Sequence, residues 1–89
     1  MKLDNVRITP EGNIEPVALP ANARKGHSLE AMQSLVGGLI QVLHLDGGRI
    51  MLLDEEGLLK GLDLNPVASR LAGMGVVGPV VIIPGKYFR

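Results

Sequence analysis

Leu39-Ile40-Gln41-Val42-Leu43-His44-Leu45-Asp46-Gly47-Gly48-Arg49-Ile50-Met51-Leu52-Leu53 is the stretch whose reading decides the fold. Leu39, Gln41, Leu43 and Leu45 fall on one side of an extended segment, and Ile40, Val42 and His44 on the other. Asp46-Gly47-Gly48 then suits a tight turn, because glycine accepts a positive φ without steric cost. Arg49 to Leu53 reads as the returning strand. A β-hairpin therefore sits at the centre of the chain, and the neighbouring segments must cover its apolar surface.

Upstream, Ser28 stands where a helix N-cap belongs, and Glu30 brings a carboxylate to the exposed amides of the first turn. Leu29, Met32, Leu35 and Val36 recur at helical spacing until Gly37-Gly38 stops the run. So short a helix is stable only with its apolar stripe packed on a sheet. Before it, residues 3–8 and 14–19 alternate weakly around the turn-rich Thr9-Pro10-Glu11-Gly12-Asn13. They read as a hairpin or a pair of edge strands. Pro16 and Pro20 lack amide donors and favour edges or strand ends.

Downstream, Asp54-Glu55-Glu56-Gly57 reads as a turn whose carboxylates face water. Leu58-Leu59 starts another short strand that ends around Gly61-Leu62. Asn65-Pro66 pairs an N-cap with proline at the first helical position, and Val67, Leu71 and Met74 supply an apolar face. Gly78-Pro79 precedes a final strand through Val80-Val81-Ile82-Ile83. The expected fold class is α+β. Roughly five or six short strands form a mixed or mainly antiparallel sheet, with two short helices on one face. The chain of 89 residues reads as a single domain over residues 1–89.

Composition narrows the function. Nine basic side chains balance nine acidic ones. That gives no field drawing the chain to nucleic acid or to an anionic membrane. Arg24, Lys25, Arg49, Lys60 and Arg70 are scattered, with no stacking aromatic among them. Cysteine is absent and there are only two histidines, which excludes thiolate chemistry and a histidine-rich zinc site. Neither a secretory leader nor an apolar run long enough to span a bilayer is visible, so the expected location is cytoplasmic. The aromatic residues are Tyr87 and Phe88. The core must be aliphatic, and a spare apolar face suits self-association, most simply as a two-fold dimer.

Two clusters are candidate sites. Asp54, Glu55 and Glu56 do not follow the alternate spacing of a calcium loop, and a glycine turn offers little burial for a catalytic carboxyl pair. They read as a recognition surface that extends to Lys60 and Asn65. Arg24, Lys25, His27 and Ser28 precede the first helix, where free amides and cations are the ingredients of an anion site. A phosphorylated or nucleotide-like ligand is the alternative reading there, held across a dimer interface if the chain pairs. Neither histidine is tied by a motif to a nucleophile, so no catalytic residue, metal site or cofactor is expected.

The order of four blocks carries a resemblance. These are residues 28–38 leading into the strand at Ile40, residues 54–62, Asn65-Pro66-Val67-Ala68, and Val77-Gly78-Pro79-Val80-Val81-Ile82. Over about residues 28–83 the chain resembles a small family known from phages, plasmids and other mobile elements, described only as a domain of unknown function. The resemblance implies an accessory protein that binds a host protein or a small molecule. The expected function is accordingly a non-enzymatic binding or protein-interaction module.

Overall fold

The computed structural model describes residues 4–18 and 27–88. Five strands and two helices follow one another as β1 (Val6–Ile8), β2 (Ile14–Pro16), α1 (Leu29–Val36), β3 (Ile40–His44), β4 (Arg49–Asp54), α2 (Pro66–Ala72) and β5 (Val80–Pro84). The sheet order is β2-β1-β5-β4-β3, and every neighbouring pair is antiparallel. The α+β class and an antiparallel sheet of five strands are thus as expected. The central hairpin pairs Ile40 with Asp54 and His44 with Ile50 around a 3-10 turn at Asp46–Gly48. Gly47 and Gly48 lie at φ 77° and 76°, the left-handed region that side chains avoid.

The helices do not share one face of the sheet. Met51, Leu53, Val80 and Ile82 pack with Ile8 and with Ala68 of α2. Ile50, Leu52, Val81 and Ile83 pack instead with Met32 and Val36 of α1. Successive strand residues point to opposite faces, so α1 covers one side and α2 the other. The correction follows from β4 and β5. Their apolar runs are buried from Ile50 to Leu53 and from Val80 to Ile83, and a sheet buried on both sides needs a layer over each.

Two strand assignments also change. β1 lies between β2 and β5, so only β2 of the first hairpin is an edge strand. Residues 55–61 form turns and contribute no strand at Leu58-Leu59. Their amides are satisfied within the loop, as when Lys60 N donates to Glu56 O at 3.0 Å and Leu62 N to Gly57 O at 3.1 Å.

Both helix starts follow the capping logic. Ser28 Oγ accepts from Ala31 N at 3.1 Å, and Asn65 Oδ1 accepts from Ala68 N at 3.1 Å. At the other end of α1, Gly37 adopts φ 97° and donates to Gln33 O. Arg7 Nε donates to Leu35 O at 2.8 Å while Arg7 Nη1 reaches Glu15 at 2.9 Å. One guanidinium thereby ties the last turn of α1 to the β1–β2 hairpin. The aromatic pair packs on its own domain. Phe88 lies against the α1 core, and the Tyr87 ring meets His27 edge-on.

Candidate functional site

The loop from Asp54 to Leu62 begins where β4 ends. Asp54 does not face water; its side chain is 1% exposed. Oδ1 accepts from Glu56 N at 2.8 Å, and Oδ2 accepts from Lys60 Nζ at 2.8 Å. The Lys60 ammonium holds the Asp54 carboxyl below its ordinary value, against the opposing effect of burial. Lys60 Nζ also donates to Gly37 O at 3.3 Å, placing a cation at the C-terminal end of α1. Asp54 and Lys60 therefore form the buttress of the loop. Its exposed carboxylates are Glu55 and Glu56.

The buttress needs room at Gly38. A Cβ there would lie 2.6 Å from Lys60 Nζ and 3.0 Å from Asp54 Oδ2. Gly38→Ala is therefore expected to push the ammonium away and to lower stability by about 1–2 kcal/mol. Urea unfolding measures this, and an unchanged midpoint would show that Lys60 swings aside without loss.

Asn65 is also removed from the surface. It is 0% exposed. Its Nδ2 donates to Ile8 O at 3.0 Å and to Gly78 O at 2.9 Å, while Oδ1 caps α2. One amide joins the end of β1, the approach to β5 and the start of α2. Every one of its hydrogen-bonding directions is used internally except one oxygen lone pair. It organises the fold and has no face to offer a ligand.

Of the alternative anion cluster, Arg24 and Lys25 lie outside the described residues. His27 is buried, with its backbone N donating to Tyr87 O at 2.6 Å. Burial pushes its imidazole below the ordinary value, which favours the neutral ring over the cation an anion would want. Ser28 Oγ is engaged as the cap. No group of three or more His, Cys, Asp or Glu residues able to hold a metal occurs among the described residues.

What the sequence reading missed is the pair that follows Gly57. Leu58 is 83% exposed and Leu59 is 87% exposed. Beside them a shallow depression of about 240 Å³ is floored by Leu53 and Val76 and bordered by Gln41, Glu55, Leu58 and Met74. Met74 is itself exposed. Glu55 and Leu58 thus share one rim of this depression. The available signal was two leucines bracketed by Glu-Glu-Gly and Lys-Gly, a polar setting that gives an apolar pair little to pack on.

A model of one protein family matches residues 3–86. The chain belongs to that family, the domain of unknown function DUF3846. The DUF3846 match takes in the β1–β2 hairpin as well as the blocks from α1 to β5, so the whole sheet belongs to one family unit. No curated protein and no solved structure matches the chain. No helix among the described residues is long and apolar enough to cross a membrane.

Proposed function

We propose that this chain is a non-enzymatic protein-interaction module that docks a partner through the loop at residues 55–61. The observation that carries this reading is the exposure of Leu58 and Leu59 on a loop otherwise closed by hydrogen bonds. The Asp54–Lys60 pair and the bonds of Glu56, Lys60, Gly61 and Leu62 hold its shape. Burying one leucine from water is worth about 1.5–3 kcal/mol. A shaped loop that leaves two leucines unburied has that free energy available for association. The neighbouring depression would accept an apolar side chain from the partner.

Charge defines the partner further. The Lys60 charge is offset by Asp54, so the exposed carboxylates of Glu55 and Glu56 set the net charge around the leucines. The fitting surface is an apolar cleft with a basic rim, and the carboxylates set orientation and encounter rate more than affinity. An accessory role of phage or mobile-element type is part of this reading and rests on the sequence resemblance alone.

The test separates folding from binding. Leu58→Glu with Leu59→Glu removes the apolar pair from positions that are 83% and 87% exposed, so the unfolding free energy is expected to stay within about 0.5 kcal/mol of the parent. Cross-linking and pull-down from a host lysate should lose the specific partner with that variant and retain it with Glu30→Gln, on the outer surface of α1. Equal recovery by the parent and the double variant would overturn the proposal.

A further inference from the structure

The two edges of the sheet are built differently. β2 is three residues long, ends in Pro16 and ties Glu15 to Arg7. Those are features that blunt an edge. β3 is five residues long, Ile40-Gln41-Val42-Leu43-His44, with no proline, lysine or carboxylate, and its register with β4 runs without a bulge. Nothing among the described residues pairs with its outer side.

The register also says which groups are free. Glu55 N donates to Leu39 O, and Leu45 N donates to Arg49 O, both at 2.8 Å. Residues directly opposite in an antiparallel ladder alternate between bonded and non-bonded pairs. The odd residues from Leu39 to Leu45 therefore spend their backbone groups on β4. The N–H and C=O groups of Ile40, Val42 and His44 point outward.

From this geometry we infer that β3 is the contact strand of a homodimer, pairing antiparallel with β3 of a second copy about a two-fold axis at Val42. That register joins Val42 to its own copy and Ile40 to His44 twice, so every outward backbone group of the three residues finds a partner. A two-fold edge must be self-complementary, and this one is in three respects. Ile40, Val42 and His44 stay on the α1 face in both copies, continuing one apolar surface. Leu39, which is exposed, comes opposite Leu45 on the α2 face. Gly38, beside which the Lys60 ammonium lies, comes opposite the carboxylate-bearing Asp46. The outward row holds no lysine, arginine or carboxylate to repel its copy. A five-residue edge buries less than the standard interface, so the dimer forms in about the micromolar range. This inference does not depend on the docking role of residues 55–61.

Sedimentation across a dilution series, together with residue-resolved amide exchange, tests it. Concentrating the protein should convert monomer to dimer and slow exchange at Ile40, Val42 and His44, while Gln41 and Leu43 stay protected throughout. Val42→Pro deletes an outward N–H without touching the β4 ladder and should weaken the dimer about tenfold or more. His44→Lys, which adds an edge charge and keeps every backbone donor, should do the same and serves if the proline variant fails to fold. The inference fails if the chain stays monomeric to about 1 mM. It fails equally if a folded Val42→Pro or His44→Lys variant dimerises as tightly as the parent, or if exchange at the even residues ignores concentration.

Discussion

Asn65→Ala is expected to lower the unfolding free energy by about 3–5 kcal/mol, read as the shift of the urea midpoint. Two buried carbonyls, Ile8 O and Gly78 O, lose their donors, and α2 loses its cap. A stranded buried polar group costs about 1–3 kcal/mol, and a lost N-cap about 1 kcal/mol. Small domains have only about 5–15 kcal/mol in total, so much of the population could unfold. Asn65→Asp separates the contributions. It keeps the cap acceptor, but sets a carboxylate against two carbonyl oxygens, and should be at least as damaging near neutral pH. Acid should relieve that variant in part, because protonation restores one donor. A shift below about 1 kcal/mol for Asn65→Ala would refute the structural role assigned to this amide.

The second large effect concerns the Asp54–Lys60 pair. Lys60→Met leaves a carboxylate that is 1% exposed without its cation. Breaking a buried pair in this way costs about 3–5 kcal/mol. Lys60 is 39% exposed, so water replaces part of the lost interaction, and about 2–3 kcal/mol is expected. Adding Asp54→Asn should recover most of it, since the neutral amide keeps an acceptor for Glu56 N. The sign of the pH dependence follows from the same contact. The folded carboxyl titrates below the ordinary aspartate value of 3.8. The pair's contribution is therefore complete above that value. It fades as the pH falls from there through the lower folded value. Urea unfolding from pH 7 into this acid range should show a steeper loss for the parent than for Asp54→Asn. Parallel curves would remove the charge pair from the account.

Much of the architecture was legible. Two apolar segments flank the turn at Asp46-Gly47-Gly48, and Ser28 and Asn65-Pro66 mark both helix starts by the chemistry of orphaned amides. The placement of the helices was present in a form easily passed over. Ile50 to Leu53 and Val80 to Ile83 lack the alternation that a sheet with one wet face requires. The site was harder to read. Glu55 and Glu56 are exposed as their charge suggests, but Asp54 is separated from them by an ion pair spanning six positions. No local pattern specifies such a contact; it depends on how the loop closes. Asn65 shows the same limit, since a cap is visible in sequence while its bonds to residues 8 and 78 are tertiary. Leu58 and Leu59 satisfied a strand pattern that the loop's own hydrogen bonds overruled.

The central position of β5 has a consequence for synthesis. β1–β2 and β3–β4 are local hairpins, but neither adjoins the other; each binds the strand made after both. A nascent chain halted before Val80 holds two hairpins and both helices, with an unfilled slot between them. The hydrophobic layers can close only when the last strand threads that slot, so assembly waits on nearly the entire stretch from Val6 to Pro84 and exposes sticky surfaces to chaperones meanwhile.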